Sequence, residues 1–265
     1  LQSNADSLQL KGIQVSIGDI RDKSLVASLV AKSTAVVHLA AQVSVPLSVE
    51  NPEETMEINV QGTQNVIDSC LENGVARLVV ASSAAVYGEA ETLPLKEEAA
   101  GNLLSPYAES KWANEQQIIE ARSNGLQASC LRFFNVYGPR INKLDGYKSV
   151  FGFFIDKKLK KKPLTIIGDG NQTRDFVHVQ DAARAMLKAA ISKEKGKIYN
   201  VGYGKEIKIN YIAELFGGKK RYIKPKYLEI KRSLANIKKI NKELKWKPKI
   251  RIEKGVKKFL NFYSK

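Results

Sequence analysis

Short apolar runs alternate with amphipathic stretches through the first half of the chain. Residues 14–17 have the alternation of a strand and stop at Gly18-Asp19. Residues 23–31 have helical spacing, and residues 35–39 form a second apolar run closed by Ala40-Ala41. Between residues 52 and 73, Met56, Ile58, Val60, Val66, Ile67 and Leu71 recur at helical spacing, and Asn73-Gly74 is a C-terminal stop. Residues 78–81 read as a buried strand that runs into Ser82-Ser83, residues 107–123 as a helix ending at Asn124-Gly125, and residues 127–133 as a further strand. Strands alternating with helices in this order predict an α/β protein with a parallel sheet covered on both faces.

After Asn135 the pattern changes. A loop over Tyr137-Gly138-Pro139-Arg140 leads to a predicted helix over 150–162, a strand over 164–167 and a turn at Gly168-Asp169-Gly170. A short strand is expected over 176–179, a helix opened by Asp181 over 179–192, and a strand over 197–201. The tail from 219 to 265 is basic and carries short helical stretches. Residues 1–134 are expected to form one domain. Residues 135–265 are expected to form mainly a smaller lobe, with roughly 174–202 returning to the first.

Composition narrows the classes. The chain has 265 residues, 43% of them hydrophobic, enough for a sizeable core. No apolar run reaches the length of a membrane span, and the N-terminus does not have the pattern of a signal peptide. Leu1-Gln2-Ser3, without an initiator Met, suggests a chain that begins partway into a protein. Two cysteines far apart in sequence, Cys70 and Cys130, suit a reducing compartment better than a disulfide framework. His38 and His178 have no Cys, His or Asp cluster near them, so no metal site is expected. The formal net charge of +16 invites an anionic partner. The dense run Lys157-Lys158-Leu159-Lys160-Lys161-Lys162 has few aromatics interleaved, so a base-stacking platform is not visible and nucleic-acid binding is not expected.

The candidate chemistry lies in Ser105-Pro106-Tyr107-Ala108-Glu109-Ser110-Lys111. Tyr107 and Lys111 are four apart where a helix begins, which stacks both side chains on one face. An ammonium beside a phenol favours the phenolate and suits the tyrosine to act as a base. Two further pairs with this spacing, Tyr222/Lys226 and Tyr227/Lys231, lack both the helix-opening proline and the upstream strand ending in Ser83, and read as solvated surface.

These segments together resemble the extended short-chain dehydrogenase/reductase family in its nucleotide-sugar epimerase/dehydratase branch, with likeness to UDP-glucose and UDP-N-acetylglucosamine 4-epimerases. Seven landmarks carry the resemblance in family order: the stretches 18–22, 36–41, 59–63, 82–88, 105–111, 132–140 and 168–179. The resemblance implies a Rossmann-like doubly wound parallel sheet with a smaller C-terminal substrate lobe, bound NAD, a UDP-sugar substrate, a cytoplasmic location and a homodimer packed through the helices of 52–73 and 107–123. The family opens with a strand, a glycine-rich turn and a helix that hold the cofactor pyrophosphate. Nothing of that kind precedes Asp19, a difference of roughly forty residues. The chain is therefore expected to be N-terminally truncated rather than a member that has lost its cofactor.

By the same resemblance Ser83, Tyr107 and Lys111 are catalytic. Tyr107 takes the proton of the sugar 4-hydroxyl, Lys111 donates to the nicotinamide ribose, and Ser83 hydrogen-bonds the sugar oxygen. Asp19, Ile20, Leu39, Ala40 and Ala41, with Tyr107 and Lys111, are expected at the cofactor. Ser83, Asn135, Arg174, Lys226, Glu229 and Ser233 are expected at the substrate, Ser233 leaving room for an N-acetyl group beside the sugar. His38 and Asn59 are expected to be structural. Family members that eliminate water place an Asp-Glu pair after the serine. Ala84 and Ala85 stand there and transfer no protons, which favours epimerisation at C4. Alternatives are a UDP-glucuronate 4-epimerase, a deoxysugar reductase, and a non-catalytic binding member of the fold.

Overall fold

The computed structural model describes residues 8–9, 11–89, 92–141, 149–194, 196–225 and 230–264. Its centre is a four-stranded parallel sheet of β1 (Ala35–His38), β2 (Arg77–Ser83), β3 (Ala128–Phe133) and β8 (Ile198–Val201), in the order β1-β2-β3-β8. The register sets Ser83 against Phe133 and Ser82 against Arg132, so β2 and β3 end together at the carboxyl edge of the sheet.

Strand alternation divides the core. Leu78 and Val80 of β2, with Ala128 and Cys130 of β3, face one layer. That layer is α1 (Lys23–Val30), α4 (Gly62–Glu72) and α5 (Pro106–Ser123). Val79 and Leu131 face the other, where α7 (Val179–Ala190) and α9 (Lys238–Leu244) supply Ala185, Ala189, Ile240 and Leu244. The sheet is thus covered on both faces, the arrangement of a Rossmann-like α/β fold.

Between β1 and α4 the chain forms α2 (Val45–Glu50) and α3 (Pro52–Met56), and α3 continues through a π turn (Glu57–Gln61) into α4. Helix α2 is not apparent from hydrophobic spacing. Its signal is Ser44, which accepts the Leu47 N–H as N-cap, with a proline in the first turn.

The smaller lobe has its own core. Phe151, Phe154 and Ile155 of α6 (Val150–Leu159) pack on Leu164 and Ile166 of β5 (Leu164–Ile167), on α8 (Ile209–Phe216), and on Ile252, Val256 and Phe259 of α10 (Ile252–Tyr263). Three two-stranded ladders complete the fold. Strand β4 (Asn135–Tyr137) pairs with β7 (Phe176–His178), β6 (Thr173–Arg174) with β9 (Ile207–Lys208), and β5 with β10 (Lys220–Ile223). The tail carries β10 as well as the expected helical stretches.

Two other expectations fail. Residues 14–17 are not a strand: they pair with nothing in a ladder among the described residues, and Ile17 is 74% exposed. Alternation alone does not make a strand where no neighbour accepts its hydrogen bonds. Asp181 does not open α7. His178 is the N-cap, accepting from the Gln180 N–H, while the buried Asp181 carboxylate accepts the N–H groups of Lys249 (2.8 Å) and Ile250 (2.9 Å) and ties down the tail.

Candidate active site

Ser83 and Lys111 both stand at the carboxyl end of β2, with Tyr107 one helical turn before the lysine. Ser83 is the last residue of β2, and its hydroxyl accepts the Ala85 N–H at 3.1 Å, which fixes the turn over Ala84–Tyr87. Tyr107 and Lys111 occupy successive turns of α5, whose start is capped by Ser105 accepting from Ala108 N–H at 3.2 Å. The Tyr107 N–H donates to the buried Ser48 hydroxyl at 3.1 Å, so α2 braces this end of the helix. Lys111 is 5% exposed and donates from Nζ to the Ala81 carbonyl at 3.1 Å, two residues before Ser83 on the same strand. Burial pulls its pKa down to about 8.

Asn59 was expected to be structural, but its partners were not foreseen. Asn59, in the π turn, grips Gln42 from both sides: its Oδ1 accepts the Gln42 N–H at 2.8 Å and its Nδ2 donates to the Gln42 carbonyl at 2.9 Å. Nδ2 also donates to Ser110 Oγ at 2.9 Å, and Ser110 in turn donates to the Tyr107 carbonyl. One buried amide therefore links the segment after Ala40-Ala41 to the helix bearing Tyr107. A π turn at such a junction is a recurrent local device. His38 contacts Thr63 Oγ1 at 2.9 Å; the threonine hydroxyl donates to the Asn59 carbonyl, so His38 Nε2 is the donor. Burial and, after it, the nearby Lys111 ammonium hold the His38 pKa down to about 4, so the ring is neutral and structural, as expected.

Beneath the trio lies a second buried network. Glu115, one turn beyond Lys111, forms a two-pronged ion pair with Arg132 at 2.8 and 2.7 Å and accepts from the Ser82 hydroxyl at 2.5 Å. Arg132 also donates to the Tyr87 hydroxyl at 3.0 Å, and Tyr87 donates to Asn200 at 2.6 Å. Strand β2, helix α5, strand β3 and strand β8 are thereby cross-linked directly behind Ser83.

Three of the residues expected at the cofactor line one apolar groove of about 360 Å³ along β1. Ile20, Leu39 and Ala40 share it with Val26, Val36, His38 and Val66. Asp19 lies next to Ile20 with its carboxylate paired to Arg21 at 2.7 Å, which holds its pKa down to about 2. It does not cap α1; Asp22 does. The residues fit the adenosine and nicotinamide-ribose parts of a dinucleotide: an apolar wall, a carboxylate beside it, the small Ala40 and Ala41 at the strand end, and a buried ammonium at Lys111.

On the other side, Arg174 lines a cleft of about 190 Å³ with Val150, Phe153, Thr165, Ile166 and Gln172. Arg174 Nη1 donates to the Thr173 carbonyl at 2.9 Å. Asp175 and Asp181 bond backbone N–H groups: Asp181 as above, and Asp175 with three of them. Asn135 donates through Nδ2 to the Asp175 carbonyl at 3.2 Å. Ser233 is half-buried in an extended segment that runs beside Leu95. Lys226 and Glu229 lie outside the described residues.

The model of the NAD dependent epimerase/dehydratase family matches residues 1–202. The chain belongs to this family. A putative UDP-glucose 4-epimerase of Methanocaldococcus jannaschii is 42% identical over 253 residues, 92% of this chain and 82% of that protein. A UDP-glucuronate 4-epimerase of Thermodesulfobacterium geofontis is 36% identical over 86% of this chain and 72% of its own length. Among solved structures, the Thermus thermophilus UDP-glucose 4-epimerase in complex with NAD superposes with a TM-score of 0.85 at 31% identity, covering 98% of this chain and 94% of that one. NAD is the cofactor and the protein is an enzyme of the epimerase type. No helix among the described residues is long and apolar enough to cross a membrane.

Proposed function

We propose that the protein interconverts UDP-hexoses by NAD-dependent epimerisation at C4. What supports this reading is Ser83 at the end of β2, Lys111 bonded to the same strand with Tyr107 one helical turn before it, and Ala84 and Ala85 in the turn that follows the serine. Bound NAD supplies the hydride acceptor. Tyr107 removes the proton from the sugar 4-hydroxyl and later returns it to the same oxygen. Ser83 keeps that oxygen in line by a hydrogen bond, and Lys111 donates to the cofactor ribose while its charge favours the tyrosinate. Between the two proton transfers the 4-keto sugar presents its opposite face. No residue with a second acid or base stands at Ala84 or Ala85 to eliminate water.

Residues 1–134 hold the cofactor, and residues 135–265 mainly the substrate, with roughly 174–202 returning to the cofactor half. Asp19 and Ile20 meet the adenosine part, and Leu39, Ala40 and Ala41 lie along the dinucleotide. Asn135 and Arg174 hold the diphosphate, where a guanidinium fork matches phosphate oxygens. Lys226 and Glu229 complete the nucleotide clamp. Ser233 borders the sugar 2-substituent and leaves room for an N-acetyl group, so UDP-N-acetylglucosamine is accepted as well as UDP-glucose. The protein works in the cytoplasm, a reading supported by free, buried Cys70 and Cys130. It forms a homodimer through α3, α4 and α5, where Met56 and Ile119 are exposed. A second reading, epimerisation of UDP-glucuronate, is favoured by the likeness to the Thermodesulfobacterium geofontis protein.

Incubation with NAD and each UDP-sugar separately, followed by chromatography of the products, tests the proposal. UDP-glucose is expected to give UDP-galactose, and UDP-N-acetylglucosamine its C4 epimer. Conversion of UDP-glucuronate alone would favour the second reading.

A further inference from the structure

Three residues assigned above to the substrate, Asn135, Arg174 and Ser233, come from separate segments: β4, β6 and the extended stretch beside Leu95. All three segments meet at Asp175, which is fully buried. Its carbonyl accepts both the Asn135 N–H (3.0 Å) and the Asn135 side-chain Nδ2 (3.2 Å). Its Oδ1 accepts the Tyr203 N–H at 2.5 Å, and its Oδ2 accepts the N–H groups of Gly204 (2.9 Å) and Ala235 (3.1 Å). Arg174 is the preceding residue, and Ser233 lies two residues before Ala235. The chain makes room for the carboxylate at Gly202, where a Cβ would stand 2.7 Å from Oδ2 and 2.6 Å from the Ala235 methyl. Burial pushes the Asp175 carboxyl up to about 6 against the pull of its three N–H donors. A core packed for stability alone is served as well by an apolar residue, since a buried carboxylate is costly to desolvate.

We propose that Asp175 is a positioning residue for the nucleotide-sugar cleft, locking the segments of Asn135, Arg174 and Ser233 into one binding geometry. The inference rests on the assignment of a UDP-sugar to that cleft. Both carboxylate oxygens are needed. An amide in the same place turns an NH₂ toward an N–H donor whichever way it flips, and at least one segment is released. Asp175 touches neither the sugar nor the cofactor, and it acts through the residues that do.

The test is titration calorimetry of uridine diphosphate and of NAD with the unsubstituted protein and with D175N, alongside steady-state kinetics with UDP-glucose and a thermal melt. In D175N, UDP affinity is expected to fall about tenfold and KM to rise with it, the scale on which small misplacements in a site are felt. NAD affinity and kcat are expected to stay within about threefold. Because D175N risks misfolding, G202A provides a second perturbation: it crowds Oδ2 and the Ala235 segment from outside and is expected to shift KM in the same direction. Equal UDP affinity in a folded D175N would overturn the inference and leave the UDP-sugar reading intact. A parallel loss of UDP and NAD binding in both variants would overturn it in favour of a structural role. Failure of the unsubstituted protein to bind UDP would overturn the reading and the inference together.

Discussion

Lys111 is held in two ways at once: by burial, which disfavours its charge, and by the Ala81 carbonyl, which accepts from its ammonium. The group is cationic below its pKa of about 8 and loses its charge above it, so the help to Tyr107 proposed above would be present at neutral pH and withdrawn on the alkaline side. The profile of kcat/KM is therefore expected to fall above about pH 8; a profile flat to about pH 10 would separate catalysis from this ammonium. Tyr107→Phe keeps the ring and removes the proton carrier. Turnover is expected to drop by at least about a hundredfold with NAD and UDP affinities unchanged, the usual contribution of a positioned acid/base. That Tyr107 and Lys111 share one helix was legible in the sequence because their spacing is local. The partners of Asn59, Ser82 and Asp175 were not, because each lies far away in the chain: Ser110 is 51 residues from Asn59, Glu115 is 33 from Ser82, and Ala235 is 60 from Asp175.

At the scale of elements, the brace behind the catalytic edge is the ion pair between α5 and β3. Glu115 and Arg132 are almost wholly buried, with side-chain exposures of 0% and 2%. Glu115→Ala leaves a buried guanidinium without its carboxylate and is expected to destabilise the fold by about 3–5 kcal/mol, read from denaturant unfolding. A loss under about 1 kcal/mol would mean that water or neighbouring groups compensate. Elements with a strong local signal were legible: β2 by its apolar run, α5 by Ser105-Pro106 at its start and Asn124-Gly125 at its end, and α7 by its amphipathic spacing. The short α2 was hidden because six residues carry too little periodicity. The extended stretch over 14–17 was misread because pairing, which the sequence of one segment does not contain, decides whether alternation becomes a strand.

Over the whole molecule, the net charge of +16 favours approach of an anionic nucleotide sugar. In the proposed homodimer the exposed Met56 and Ile119 on the outer helices are what a symmetric partner would cover. Light scattering is expected to give twice the protomer mass, and Ile119→Glu to shift the population toward monomer; a monomeric unsubstituted protein would remove the dimer from the account. The central claim is that hydride leaves C4 and returns to the same carbon from the other side, with Tyr107 handling the proton. The most direct measurement uses UDP-glucose deuterated at C4, followed by mass spectrometry and NMR of the UDP-galactose formed. The account predicts full retention of deuterium at C4 with no net reduction of NAD. Loss of the label to solvent, or accumulation of reduced cofactor in step with product, would contradict it.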